Sequence, residues 1–116
     1  MTPLTITSRD AGTGPVLEIA GDLDYVTASE LRTILDDLTL AAGQLLVLDL
    51  AGLDFCDSSG ITVLLAARNL AIEQGGTIAL AAIPASTARI LRVMGLDRVF
   101  TIHSDTSAAT ARDAAC

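Results

Sequence analysis

Two serines in a run of four, Asp57-Ser58-Ser59-Gly60, stand where a strongly apolar stretch, Leu45-Leu46-Val47-Leu48-Asp49-Leu50, hands over to a helix starting near Ile61. Short polar side chains at such a junction can accept hydrogen bonds from the unpaired N–H groups of a first helical turn. Those N–H groups and the helix dipole also favour an added phosphate. The residues alone therefore leave two readings open, a helix cap and a covalent switch. Other chemistries lack parts. His103 is the only histidine and lies far along the chain from both serines, so a Ser-His-Asp relay would need it carried across the fold. A partly exposed loop residue is the simpler reading. Gly12-Thr13-Gly14 lacks the rest of a dinucleotide fingerprint, and a chain without lysine holds no Walker A lysine. Asp22, Asp24, Asp54 and Asp57 could gather around a hard cation such as Mg²⁺, but their spacing is not that of a calcium loop. Solvated turn carboxylates account for them more simply.

The elements that must position these residues follow from periodicity and turn chemistry. Leu4-Thr5-Ile6-Thr7 alternates like a half-buried strand, and Ala11-Gly12-Thr13-Gly14-Pro15 reads as a turn into Val16-Leu17-Glu18-Ile19-Ala20. Together they predict an N-terminal hairpin. Thr27-Ala28-Ser29-Glu30 has the pattern of a capping box, and Leu31, Ile34, Leu35 and Leu38 mark a helix ending around Ala42-Gly43. Leu45 to Leu50 is too continuously apolar for a strand with one wet face, which predicts a central strand covered on both sides. A second helix runs from about Ser59 to Gln74 and stops at Gly75-Gly76, before the strand Thr77-Ile78-Ala79-Leu80-Ala81. Pro84 and Ser86 open a third helix that contains Ile90, Leu91, Val93 and Met94 and closes at Gly95. Val99-Phe100-Thr101-Ile102 is the last predicted strand, and Ser104-Asp105-Thr106-Ser107 caps a final Ala-rich helix that frays toward Cys116.

This alternation predicts an α/β fold, its sheet mostly parallel, with right-handed crossovers and functional turns at the carboxyl ends of the strands. Two such turns are acid-rich: Gly21-Asp22-Leu23-Asp24 after the second strand, and Asp54-Phe55-Cys56-Asp57-Ser58 after the third. If those strands are neighbours, both turns share one edge.

Composition narrows the task. The chain has 116 residues, enough to bury a core without metal or disulfides, and no internal change of composition, so one domain over 1–116 is expected. Hydrophobic residues make up 51% and aromatics 3%, which leaves the core to Leu, Ile, Val and Ala. All seven basic residues are arginines, set against 14 acids for a net charge of −7. That balance argues against nucleic-acid or anionic-lipid binding and for a protein partner with a basic patch. The segment Met1-Thr2-Pro3-Leu4-Thr5 has neither basic nor continuous apolar character, and the apolar runs elsewhere fall short of the roughly 20 residues of a membrane span. A cytoplasmic location without membrane insertion is expected. Cys56 and Cys116 form no CxxC pair and read as reduced thiols, though Cys116 could cross-link copies in vitro.

Gly21-Asp22-Leu23-Asp24, the strand ending Val47-Leu48-Asp49-Leu50, and Phe55-Cys56-Asp57-Ser58-Ser59-Gly60-Ile61-Thr62-Val63-Leu64-Leu65 together resemble a STAS domain. More narrowly they resemble the stand-alone bacterial anti-sigma factor antagonists of the sporulation and stress-response type. Gly75-Gly76, Pro84 and Met94-Gly95-Leu96 extend the likeness over nearly the whole chain. The resemblance implies a STAS fold, with a mixed, mostly parallel sheet of about five strands, four helices and an N-terminal hairpin. It implies a non-enzymatic protein, without a cofactor, that regulates transcription by binding an anti-sigma factor serine kinase and so releasing a sigma factor. Phosphorylation switches such a protein off, and a metal-dependent serine phosphatase restores it. The acceptor carried over from the family is Ser58, the hydroxyl residue after the motif's Asp. Partner contact is carried over to Gly21, Asp22, Leu23, Asp24, Asp57, Ser58, Ser59, Gly60 and Thr62, and the free protein is expected to be a monomer. Thr62 stands where the sporulation proteins often have Gly, and Cys56 occupies a variable position, which leaves room for a different partner or for modification at Ser59 or Thr62. A different job on the same fold is a small STAS subunit regulating a membrane transporter, in lipid or anion traffic.

Overall fold

A computed structural model describes residues 3–110. The order is β1 (Thr5–Asp10), β2 (Pro15–Leu23), α1 (Ala28–Asp36), β3 (Leu45–Cys56), α2 (Ser58–Glu73), β4 (Thr77–Ala81), α3 (Ala85–Val93), a 3-10 turn (Leu96–Arg98), β5 (Thr101–His103) and α4 (Thr106–Thr110). The five strands form one sheet in sequence order. β1 and β2 are the antiparallel hairpin; β2 to β5 are parallel. The fold class, the hairpin and the four helices are thus as the sequence predicts.

Alternation along the strands sets two unequal layers. Leu17, Ile19 and Leu23 of β2, Leu46, Leu48 and Leu50 of β3, and Ile78 and Leu80 of β4 face a large core shared with Leu31 and Leu35 of α1, Ile61 and Leu64 of α2, and Leu91 of α3. Val16, Val47 and Ala81 point the other way and meet Ala109 of α4. The start of β3 is therefore covered on both faces, which is why its apolar run is continuous. Asp49, half-buried between the layers, accepts a hydrogen bond from the Thr106 hydroxyl at 2.7 Å and so ties α4 to β3.

Several boundaries differ from the sequence reading. β3 does not stop at Leu50 but runs on to Cys56, and β2 runs on through Gly21, Asp22 and Leu23. The reason is two register shifts: Glu18 and Ala20 pair with Asp49 and Gly52, while Gly21 and Asp22 pair with Leu53 and Phe55. Each inserts one extra residue in β3, a β-bulge. Its inward residues then recur as Leu50, Leu53 and Cys56, every third position, and the period-2 signature disappears. Gly52 sits in the first bulge because a Cβ there would lie 2.8 Å from the Ala20 Cβ.

Thr27 is not the predicted capping-box residue either, for its hydroxyl makes no cap bond and turns back into the preceding loop. α1 ends at Asp36 rather than near Ala42, the 3-10 turn takes Leu96 to Arg98, and β5 shifts to Thr101–His103. Of the apolar residues of the third helix, Leu91 is buried, whereas Val93 and Met94 are exposed. The fraying part of the last helix and Cys116 lie outside the described residues.

Candidate functional site

The ends of β2 and β3 lie side by side, and the Asp57 N–H donates to the Leu23 carbonyl at 3.2 Å. Asp57 leaves the strand in an extended conformation, and its Oδ1 accepts from the N–H groups of Ser59 at 2.8 Å and Gly60 at 3.1 Å. Its carbonyl accepts from the Ile61 N–H at 3.0 Å. Asp57, not either serine, is the helix cap. That frees Ser58, the exposed first residue of α2, whose hydroxyl makes no side-chain hydrogen bond among the described residues. The Ser58 carbonyl accepts from the Thr62 hydroxyl at 2.9 Å, which joins both residues on the outer surface of the first turn.

Gly60 is what permits this close seat. A Cβ there would lie 2.6 Å from the Cys56 Sγ, 2.8 Å from the Leu23 carbonyl oxygen and 3.0 Å from the Leu23 Cγ. Any larger residue would push the start of α2 away from the strand ends. Cys56 is buried beneath the turn, and burial, then the neighbouring Asp57 carboxylate, push its thiol up to about 11. At neutral pH it is protonated and packs as a small apolar residue.

The loop after β2 is held from within. The Asp24 Oδ1 accepts from the N–H groups of Val26 at 2.9 Å and Thr27 at 3.0 Å. The Thr27 hydroxyl accepts from the Asp24 N–H at 2.9 Å and donates to the Asp22 carbonyl at 2.7 Å. The Thr27 N–H, foremost among these partners, holds the Asp24 carboxyl below its ordinary value; desolvation opposes it. So anchored, the loop turns Tyr25 and Val26 outward, 83% and 68% exposed. Phe55, half exposed, pairs with Asp22 in the adjoining strands.

Of the residues singled out in the sequence, Asp22, Asp24, Asp57, Ser58, Ser59 and Thr62 come together at this edge. Gly21, Leu23 and Gly60 are buried within it. Asp22 to Leu23 and Asp54 to Cys56 are strand rather than turn. No group of three or more His, Cys, Asp or Glu side chains among the described residues is arranged to hold a metal. His103 is half-buried at the end of β5, where its carbonyl accepts from the Ala82 N–H, so it is a strand residue and not a loop residue. It pairs with Ala81, which pairs with Asp49, seven residues before Cys56. At ~3.3 Å per residue it lies roughly 20 Å from Ser58, too far for a relay. Tyr25, Val26 and Phe55 escaped the sequence reading, although two bulky apolar residues between Asp24 and Thr27 in a turn were a usable signal. Beside Ser58, the hollow between α1 and α2 is lined by Ala28, Ser29, Arg32, Ser59, Thr62 and Val63. No helix among the described residues is long and apolar enough to cross a membrane.

The family described as "Mlab, STAS domain" matches residues 6–102. The chain is 32% identical over 101 residues to the anti-sigma-F factor antagonist RsfB of Mycobacterium tuberculosis, an alignment covering 87% of this chain and 82% of that protein. Among solved structures, an anti-sigma factor antagonist from Mycobacterium paratuberculosis superposes with a TM-score of 0.74 at 23% identity, over 92% of this chain and 91% of that one. A sulfate transporter family protein from Wolinella succinogenes superposes with a TM-score of 0.71 at 16% identity, over 82% and 80%. These two likenesses concern the fold.

Proposed function

Because the chain belongs to the STAS domain family, we propose that it is an anti-sigma factor antagonist whose activity is binding: unphosphorylated, it engages an anti-sigma factor serine kinase and frees a sigma factor. Phosphorylation of Ser58 ends the complex, and a serine phosphatase restores it. The observation that carries this reading is the division of labour at the start of α2. Asp57 alone caps the helix, so the Ser58 hydroxyl is exposed and has no structural duty. The relative of known role, at 32% identity, supports the partner class.

The surface offered is apolar at its centre and acidic around it. Tyr25 supplies an exposed side chain of the kind that dominates interface energies, and Val26 adds exposed apolar surface beside it. Asp22, Asp24 and Asp57 suit arginines of the kinase. A phosphate at Ser58 adds about −1.5 to −2 charges beside Asp57 and must be desolvated as the partner docks. A hundredfold loss of affinity requires only ~2.8 kcal/mol, which repulsion and desolvation can supply without rearranging the fold.

The test begins with proteins that co-purify with the unphosphorylated chain. Recovery of a small serine kinase is expected; recovery of a transport ATPase instead would reassign the protein to transporter regulation. With that kinase and ATP, mass spectrometry should place the phosphate on Ser58. Phosphate confined to Ser59 or Thr62, or none at all, would sink the assignment. Ser58→Ala should abolish labelling and keep kinase binding, and Ser58→Asp should weaken binding.

A further inference from the structure

The opposite end of the sheet carries a surface of contrary character. Val47 of β3 pairs with Ala79 of β4, which pairs with Thr101 at the start of β5. Ser58 lies beyond the far end of β3, ~30 Å away at ~3.3 Å per residue. At the near end, a hollow is lined by Arg68, Ile72, Thr77, Ile78, Val99 and Thr101. Ile72 is 50% exposed and Val99 36%, and the Arg68 Nε donates to the Val99 carbonyl at 3.3 Å. The 3-10 turn connects this hollow to the last turn of α3, where Val93 is 80% and Met94 51% exposed. Of the chain's 14 acids and seven arginines, one acid, Asp97, and three arginines, Arg89, Arg92 and Arg98, fall between Pro84 and His103. All three arginines are exposed, and none joins the ion pairs of the described residues, which are Arg9 with Glu18 and Arg32 with Asp36.

We infer that this end of the molecule is a second docking surface, for an acidic amphipathic segment of another protein. A bulky apolar side chain of that segment sits in the hollow against Ile72 and Val99, while flanking Asp or Glu residues pair with Arg92 and Arg98. Charge complementarity selects this occupant: arginines that join no ion pair among the described residues stand next in sequence to the exposed Val93 and Val99, on a protein whose net charge of −7 repels acidic ligands elsewhere and anionic bilayers as a whole. The separation from Ser58 allows both surfaces to be occupied at once, and occupancy here does not depend on the phosphorylation state there.

The probe is a fluorescein-labelled amphipathic peptide of Glu and Leu, titrated by anisotropy against the full chain and against an Arg92→Glu/Arg98→Glu variant. Saturable binding that weakens with salt is expected, with about a tenfold loss in the variant from two lost and reversed charge pairs. A peptide with Gln in place of every Glu should bind as poorly as the variant does. The variant should melt as the parent does and still be labelled at Ser58, which separates this surface from the kinase edge. No saturable binding, equal binding of the Gln peptide, or binding unchanged in the variant overturns the inference. So does preferential binding to phosphatidylglycerol vesicles, which makes the surface a lipid site. Concentration-dependent self-association abolished by the variant overturns it as well, because the occupant is then a second copy.

Discussion

Replacing Gly60 with alanine tests whether a close approach, rather than backbone freedom, explains the glycine after the two serines. An added Cβ would stand 2.6 Å from the Cys56 Sγ, 2.8 Å from the Leu23 carbonyl oxygen and 3.0 Å from the Leu23 Cγ. Two of these three contacts involve side chains that can yield; the third is backbone, and that same carbonyl accepts from the Asp57 N–H. Overpacking of this kind costs about 1–3 kcal/mol. Alanine regains up to ~1 kcal/mol of helix propensity over glycine, and less in a first turn. The net expectation is a loss of about 1–2 kcal/mol, read as a lower urea midpoint at unchanged slope. Relief has to come by lifting the start of α2, which carries Asp57 and Ser58 away from the loop of Tyr25 and Val26. Kinase labelling of Ser58 should therefore fall together with stability. Adding Cys56→Ala removes the sulfur contact alone, so the double variant should recover a coupling of about 0.5–1 kcal/mol but not the parent's stability. A Gly60→Ala protein as stable as the parent and labelled at the parent's rate would refute the argument.

Three other outcomes follow from the same site. Asp57→Ala should cost about 1 kcal/mol in urea unfolding, because two N–H groups lose their acceptor, whereas Asp57→Asn keeps most of the cap; equal stability of all three proteins would deny Asp57 that role. Iodoacetamide at about pH 8 should leave Cys56 unmodified in the folded protein and alkylate it in urea, since its thiol is held at about 11. The unfolded thiol loses its proton first as pH rises, so this group's contribution to stability declines between its ordinary value and about 11. Asp24, whose folded carboxyl lies below its ordinary value, gives the opposite sign. Its contribution is complete above the ordinary value and is lost as pH falls through the folded one, so Asp24→Asn should flatten the acid limb of the stability–pH curve.

Elements with an uninterrupted period were legible, and those where the period breaks were not. β4 and α3 stand where the Gly75-Gly76 stop and the Pro84 to Gly95 punctuation place them. The second half of β3 was hidden because two bulges turned its inward spacing from two to three, as in Leu50, Leu53 and Cys56. The capping box at Thr27 misled because its hydroxyl accepts from the Asp24 N–H and donates to the Asp22 carbonyl in the preceding loop, which leaves the Glu30 N–H to the Thr27 carbonyl. At the candidate site the residue types were legible, but their division of roles was not. Asp, Ser and Ser are all good caps, and only the extended backbone at Asp57 decides which side chain reaches the free N–H groups.

That division also constrains what a phosphate on Ser58 does energetically. A phosphate at an open helix N-terminus gains from free N–H groups and from the dipole, typically ~0.3–1 kcal/mol when exposed. Here the N–H groups of Ser59 and Gly60 are already bonded to Asp57, and Ile61 bonds to the Asp57 carbonyl. The phosphate therefore finds little unsatisfied backbone and meets a carboxylate one residue away. In water at ~4 Å each pair of unit charges repels by ~1 kcal/mol, so a phosphate of about −1.5 to −2 charges would meet ~1.5–2 kcal/mol of repulsion in the free protein, little of it offset by the helix. In a complex the repulsion would grow, because a docked partner excludes water and lowers the effective dielectric around both charges. On the proposed role, a helix capped by its own Asp makes a phosphate on Ser58 a modest cost in the free protein and a larger one in the complex, where Tyr25 and Val26 would face the partner beside it.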